Sequence, residues 1–279
     1  MSGPTASPDA IAASLVRARL DGGVIARPMT ELDLDLDAAY LVQRRFREQY
    51  CADGERRPVG FKLSATGTRA QARLGLAEPV VGVVFSDDLV TDEDGSGTVT
   101  LPRQAFRTPL VEAEIAFVLR RDLPELCSRE LILEACDVAP LLEFADSRYA
   151  DWPERVAEYS AQDIVVDNAL SGRVVLGATR RADSVDLRAV TARLTSGRRV
   201  LASSGSPMTS PDPVTVVAWL ARALHRLGGS LPRGSVIATG AVAGPVAVPA
   251  GPVRAELTGI GSVTASLGEP VRSARPEAG

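Results

Sequence analysis

Histidine is almost absent from this sequence, cysteine is scarce, aromatic side chains are few, and no long apolar run occurs. The three cysteines, Cys51, Cys127 and Cys136, are odd in number and show no C-x-x-C spacing, which argues against a disulfide framework. Thiols of that kind suit a reducing, cytoplasmic compartment. Aromatics make up only 4% of residues, too few to serve both packing and a base-stacking surface, and the net charge of −4 gives no electrostatic reason for a nucleic acid or an anionic membrane as partner. The longest uncharged run, residues 238–253, is broken by glycine and proline and cannot form the ~20-residue helix that crosses a bilayer. After Met1 the sequence SGPTASPDA has neither the basic nor the apolar region of a secretory signal.

What is present is an ordinary globular composition, 45% hydrophobic and 24% charged, over a length that supports a large core. No repeat or linker interrupts it. We expect one domain: a helical N-terminal segment over 1–57, a β-rich catalytic part over 58–267, and a disordered tail over 268–279. Ser7-Pro8 followed by DAIAASLVRARL and Gly22-Gly23 predicts a capped helix, and a second helix begins near Asp35 or Asp37. PVGFKLS, VVGVVF, TPLVEAEIAFVL, APLLEFA and RVVLGA read as strands. Helices are expected over GTRAQARLGL, over a Ser128-led ELILEACDV, over a longer stretch around WPERVAEYSAQDIVVDNAL, and over PDPVTVVAWLARALHRLGG; the tail reads as strands again. These strands are too irregularly placed for a repeating βαβ array, so the fold class is mixed α/β and β-rich.

Residues 111–119, VEAEIAFVL, alternate with the period of an extended strand, so Glu112 and Glu114 project from one face. For such a pair alone, a strand with one wet face is the more frequent explanation. Two further charges sit where the pattern predicts burial: Glu143 in PLLEFA and Lys62 in VGFKLS. Buried charges need partners, and three converging carboxylates need neutralising. A hard divalent cation does this, and all-oxygen ligation favours Mg²⁺, Mn²⁺ or Ca²⁺ over Zn²⁺. A lysine beside such a cation has its ammonium disfavoured, which suits it to acid–base work.

The ordered series VGFKLS, EPVVGVVFSDDL, VEAEIAFVL, PLLEFADSRYADW, DNALSG-x-VVLG, VAWLARAL and GIGSVTASL resembles the fumarylacetoacetate hydrolase superfamily. The branch is that of 2-oxopent-4-enoate (vinylpyruvate) hydratases and 4-oxalocrotonate decarboxylases. The resemblance spans about residues 10–267. It implies a twisted mixed β-roll with flanking helices, Mg²⁺ or Mn²⁺ on Glu112, Glu114 and Glu143, and Lys62 as catalytic proton shuttle. It also implies Thr66, Asn168 and Ser171 as substrate-binding groups, with Asp146, Arg148, Asp151 and Trp152 orienting strand and helix around the site. The implied reaction is a lyase step on a 2-oxo or 2-hydroxydienoic acid through a metal-bound enolate, with hydration favoured and vinylogous decarboxylation or tautomerisation as alternatives. Homo-oligomers and hydratase–decarboxylase complexes belong to the same resemblance.

Four places depart from that pattern. Val80 stands where the family carries an acidic residue, Thr66-Gly67 replaces a small polar pair, Leu170 replaces one serine of the family's D-N-A-S-S stretch (here Asp167–Ser171), and Ala243 stands where a polar residue is expected. A C–C hydrolase of acylpyruvates is the alternative of another class, but its histidine would have to be His225, which reads as an exposed helix residue. A non-catalytic partner subunit is the remaining alternative. Ser204-Gly205-Ser206 lacks a nucleophile elbow, Gly259-Ile260-Gly261 precedes a strand and lacks a third glycine, and Gly240–Gly244 reads as a turn between strands.

Overall fold

The computed structural model describes residues 7–28, 33–92, 97–204 and 211–268. The N-terminal helix α1 (Pro8–Asp21) starts where Ser7 Oγ accepts the Ala10 N–H and stops at left-handed Gly22. Helix α2 (Leu36–Tyr50) is capped by Asp35. The order then continues β1 (Pro58–Ser64), α3 (Thr68–Leu74), β2 (Val80–Phe85), β3 (Leu89–Thr91), β4 (Val99–Pro102) and β5 (Leu110–Leu119). After these come α4 (Arg129–Ala135), β6 (Cys136–Ala145), α5 (Ala161–Val166), β7 (Arg173–Leu176), β8 (Arg180–Arg181), β9 (Ala192–Ser196) and β10 (Arg199–Ser203). Helix α6 (Pro213–Arg226) precedes β11 (Val236–Ala247), β12 (Val253–Leu257) and β13 (Gly261–Gly268).

Among the described residues these strands form two mixed sheets. The larger runs β2-β1-β11-β5-β6-β7-β3, with β8 attached to β6; the smaller runs β10-β9-β12-β13-β4. The main core lies between the sheets, where Ile115, Phe117, Val138 and Leu142 meet Leu194, Ala255, Leu257 and Val263. A second cluster joins Leu15, Val42 and Phe46 of the first helices to Val83, Phe85 and Val165. On the other face of the large sheet, Val84, Ala116, Ala139, Leu141, Val174 and Val236 form a third cluster, packed by Val59 and Leu89. That cluster draws on every strand from β2 to β3, which requires the sheet to curl upon itself. The expected β-rich roll with flanking helices is thus the observed architecture, and the N-terminal helices pack directly on β2.

Several elements differ from expectation. The Ser128-led helix ends at Ala135, and Cys136–Val138 open β6 instead. The long helix expected over 152–170 is broken into a 3-10 turn at Val156–Glu158, the short α5, and a second 3-10 turn at Asn168–Leu170. Pro153 lies ahead of these pieces, Ser160 and Asp163 form a capping box that starts a new helix, and residues 168–170 adopt positive φ. The β9–β10 hairpin was hidden because its strands are short and β10 is largely exposed. Gly240–Gly244 is not a turn but lies inside β11, at irregularities in its pairing with β5. Gly268 closes β13; the rest of the expected tail, and residues 205–206 of the Ser204 motif, lie outside the described residues.

Phe117 is fully buried in the intersheet core. Phe117→Ala is expected to destabilise the fold by about 3–5 kcal/mol, whereas Leu126→Ala, at a 72% exposed position, should change stability by less than about 0.5 kcal/mol; urea denaturation measures both.

Candidate metal centre and its lysine

Strand β5 contributes Glu112 and Glu114, and antiparallel β6 places Glu143 directly opposite Glu112 and Leu141 opposite Glu114. One carboxylate oxygen from each of the three glutamates lies within 4.8 Å of the others. Glu114 and Glu143 are 0% and 1% exposed and Glu112 is half-buried, so the E-x-E pair does not stand on an open wet face. Ala116, two residues further along the same face, belongs to the cluster inside the curled sheet. The site therefore occupies that inner face beside an apolar floor.

Lys62 reaches the same place from β1. This strand joins the sheet by pairing in parallel with β11, which in turn pairs with β5. The lysine is 3% exposed, its Nζ sits 2.5 Å from Glu143 Oε1, and it donates to the Ala169 carbonyl at 2.8 Å. Burial works against its ammonium, but attraction by Glu143, Glu112 and Glu114 outweighs this and holds the amine above its ordinary range. The expectation of a disfavoured ammonium applies to a lysine beside a cation; the protein groups alone act in the opposite direction. Burial, then repulsion from Glu143, pushes Glu112 up to about 7 and Glu114 well above the usual carboxylate range.

Glu114 Oε2 accepts the Gly240 N–H at 2.9 Å. Glu114 Oε1 and both oxygens of Glu143 are buried without a hydrogen bond, although Glu143 Oε1 is in ion-pair contact with Lys62. Orphaned carboxylate oxygens turned toward one another are what a hard cation satisfies. The donor set is all oxygen, so the residues fit the group that the sequence implied.

Sequence reasoning missed Gly240. It has φ +97°, and a Cβ there would lie 2.5 Å from Thr66 Oγ1, so only glycine brings this backbone N–H onto Glu114 beside the Thr66 hydroxyl. The signal was its glycine-rich run, which read as a turn. Lys62 also carries a stronger signal than its motif: it is the only lysine in the chain, every other long cationic side chain being arginine. Arginine holds its proton at all ordinary pH, whereas lysine can exchange it.

Asn168, Ala169 and Leu170 have φ of +51°, +57° and +59°, three consecutive left-handed residues that are not glycine. Asn168 holds them in place: its Oδ1 accepts the Val83 N–H and its Nδ2 donates to the Val83 carbonyl, both at 2.8 Å. Both polar ends of this amide are therefore engaged by β2, which makes it a clamp on the segment whose Ala169 carbonyl receives Lys62. Gly82 allows the approach, because a Cβ there would lie 2.5 Å from the Asn168 carbonyl oxygen. The carbonyl of Ser171, at the end of the segment, accepts from Arg148 at 2.6 Å and Arg19 at 3.2 Å, and Arg148 Nε pairs with Asp167. Asp146 accepts the Arg107 N–H at 2.7 Å ahead of β5, Trp152 donates to the Thr108 carbonyl at 2.9 Å, and Asp151 pairs with Arg27 at 2.8 Å.

The departures also find their places. Val80 stands opposite Ser64 on the Lys62 side of β2, buried in the cluster that includes Ala169 and Leu170. Ala243 lies opposite Ala113 in the intersheet core, so no hydroxyl is missing from the carboxylate face there. His225 is an exposed residue of α6 paired with Glu125 at 3.3 Å.

The family profile described as fumarylacetoacetate (FAA) hydrolase C-terminal matches residues 62–267. The 2-keto-4-pentenoate hydratase of Paraburkholderia xenovorans (strain LB400) is 36% identical over 258 residues, covering 90% of this chain and 91% of that protein. The 2-keto-4-pentenoate hydratase 2 of Dechloromonas aromatica (strain RCB) is 34% identical over 264 residues, covering 93% and 97%. Among solved structures, the 4-oxalocrotonate decarboxylase of Pseudomonas putida G7, complexed with magnesium and adipate, superposes with a TM-score of 0.83 at 26% identity, covering 93% of this chain and 97% of that one. The same decarboxylase has also been solved with calcium and acetate.

Glu112 and Glu114 bind protons more tightly folded than unfolded, where a glutamate titrates near ~4.3. Their favourable contribution is therefore present below that range and is lost as pH rises through about 7. In chelator the Tm is expected to fall between pH 5 and 8, and saturating Mg²⁺ should raise it by an amount that grows with pH, because metal ligation needs the carboxylates ionised. Calorimetric scans with and without Mg²⁺ check this; a metal-induced shift that shrinks with pH would contradict it. Asn168→Ala leaves the Val83 N–H and carbonyl without partners and is expected to cost about 1–3 kcal/mol in denaturant unfolding.

Proposed function

Because the chain belongs to the fumarylacetoacetate hydrolase family, we propose that it is a divalent-metal-dependent hydro-lyase that adds water to a 2-hydroxydienoic acid of the 2-oxopent-4-enoate type. The single observation that carries this reading is the cluster of half-buried Glu112 with buried Glu114 and Glu143, in which Glu114 Oε1 and Glu143 Oε2 have no partner, set against the one lysine of the chain. The hydratase relatives support the reaction class, each at more than 90% coverage of their own length.

The three glutamates are the residues that would hold Mg²⁺ or Mn²⁺, whose charge, when bound, would take up the negative charge that develops on the substrate's 2-oxo and 1-carboxylate oxygens. Lys62 Nζ gives a proton to the terminal carbon of the diene and recovers one from the water that adds to the neighbouring carbon. Water is thereby added across one double bond, and the amine ends the turnover protonated. The Ala169 carbonyl and Glu143 fix the amine's position. Thr66, beside Gly240, and Ser171 are the hydroxyls assigned to substrate oxygens, while Asn168 acts through the backbone it clamps.

Vinylogous decarboxylation is the second reading, favoured by the structural similarity to the 4-oxalocrotonate decarboxylase. It uses the same charge stabilisation, with CO₂ leaving from the carbon that hydration would protonate, and the electron pair of the broken C–C bond passing to the 2-oxo oxygen. A histidine-dependent hydrolase is not supported, since His225 is engaged with Glu125 on the surface.

Turnover of 2-hydroxypenta-2,4-dienoate and of 2-oxohexenedioate with Mg²⁺ or Mn²⁺ separates the two readings by product, a hydroxy acid or CO₂. Lys62→Ala and the charge-retaining Lys62→Arg are both expected to lower kcat by at least about 100-fold, with metal affinity measured by calorimetry largely retained. Full turnover by Lys62→Arg would show that charge suffices and would remove proton transfer from the role of this residue.

A further inference from the structure

A cavity of about 480 Å³ lies between the end of α2, the entry to β1 and the loop that leads from α6 into β11. Arg47, Arg57 and Arg233 line it, and no carboxylate does. None of Lys62, Glu112, Glu114 or Glu143 lines it either. Phe61 does, and as the strand neighbour of Lys62 it projects from the opposite face of β1, where it packs against the intersheet core. The cavity and the carboxylate centre thus lie on different sides of this strand.

The three guanidiniums are uncommitted. Among the described residues, no carboxylate comes within ion-pair reach of Arg47, Arg57 or Arg233, and their side chains make no hydrogen bond. Only backbone groups are engaged at two of them: the Arg57 N–H donates to Ser86 Oγ at 3.2 Å, and the Arg233 N–H to Asp122 at 2.7 Å. Of the acids nearby in the chain, Glu48 pairs with Arg45 at 2.8 Å, Asp53 pairs with Arg56 at 2.6 Å, and Glu55 pairs with none. Arg57 and Arg233 are exposed and Arg47 is half-buried, so all three are open to an incoming ligand. Ser235, 5% exposed, lines the same cavity. Its N–H donates to the Pro232 carbonyl and its carbonyl accepts from Leu119, but its hydroxyl makes no hydrogen bond within the protein.

Three like charges around one cavity repel, and an anion relieves the repulsion. A single carboxylate carries one charge and meets one guanidinium fork. A phosphate monoester carries about −1.5 to −2 and presents three acceptor oxygens that several donors can share. Much of the remaining lining is apolar, including Phe61, Leu224 and Pro232. Inorganic phosphate would leave that surface wet, whereas an apolar group on the ester would cover it. We propose that this cavity binds the phosphate monoester of a small apolar alcohol, with the phosphate among Arg47, Arg57 and Arg233 and the apolar group over Phe61, Leu224 and Pro232. The Ser235 hydroxyl is a further donor to the phosphate. The site stands whether or not the hydration reading holds.

The test is isothermal titration of the metal-free full chain at low ionic strength, with phenyl phosphate, inorganic phosphate and benzoate as probes. Inorganic phosphate lacks the apolar group, and benzoate lacks the second charge. Phenyl phosphate is expected to bind saturably at one per chain, and each of the others several-fold more weakly. Arg57→Gln and Arg233→Gln remove exposed side chains without protein partners, and each should weaken phenyl phosphate about tenfold, the scale of a charged hydrogen bond. Arg198→Gln, at an exposed position between β9 and β10, should leave the affinity unchanged. Should one of the two cavity variants lose its native circular dichroism spectrum, the other carries the test. Absence of saturable phenyl phosphate binding at tens of millimolar, equal affinity for benzoate or for inorganic phosphate, or equal losses in Arg198→Gln and Arg57→Gln would each overturn the proposal.

Discussion

Repulsion among three converging carboxylates, two of them buried, is the constraint around which this site is organised. Strand pairing puts Glu112 against Glu143 with Glu114 beside them, and each ionised group raises the cost of the others. The fold offsets part of that cost with two donors of different kinds, the Lys62 ammonium and the Gly240 N–H. Each donor makes its own structural demand. Lys62 needs a carbonyl partner, which the left-handed segment 168–170 supplies; Gly240 needs a backbone that only glycine adopts, which disturbs the β11–β5 ladder. The remaining orphaned oxygens are what a dication would satisfy.

The division of labour between the two long cations follows from the same electrostatics. Where an ion pair is structural, as in Arg19 with Asp88, Arg27 with Asp151 and Arg148 with Asp167, the chain uses guanidinium, whose planar fork meets carboxylates and carbonyls together and never gives up its proton. Among the described residues, the single lysine side chain stands in the buried pair that touches the carboxylate trio. An arginine there would satisfy the charge but could not exchange a proton.

Much of this was legible in the residues themselves. Alternation over 111–119 placed Glu112 and Glu114 on one face, and the charge inside PLLEFA marked Glu143 as needing a partner. Caps at Ser7, Asp35 and Ser128 marked three helix starts, each observed. What stayed hidden was non-local. The register that sets Glu112 against Glu143 is a property of two paired strands, and the bulged course of β11 turned an apparent loop into strand. Local signals also failed where tertiary contacts override propensity: Asn168–Leu170 would continue a helix on composition, but the Asn168 amide grips Val83 and holds the backbone left-handed. Ala243 shows the converse, a motif position that looked functional and proved to be packing.

The placement of β11 has a consequence for biosynthesis. This late strand stands between β1 and β5, so Lys62 comes beside the glutamates only when residues 236–247 have been added. A nascent chain that has emitted every acidic ligand still lacks the Gly240 amide and the bridge that carries its counter-charge. Closure of such distant segments is slow relative to local hairpins, and the centre therefore stays incomplete until β11 has taken its place between β1 and β5.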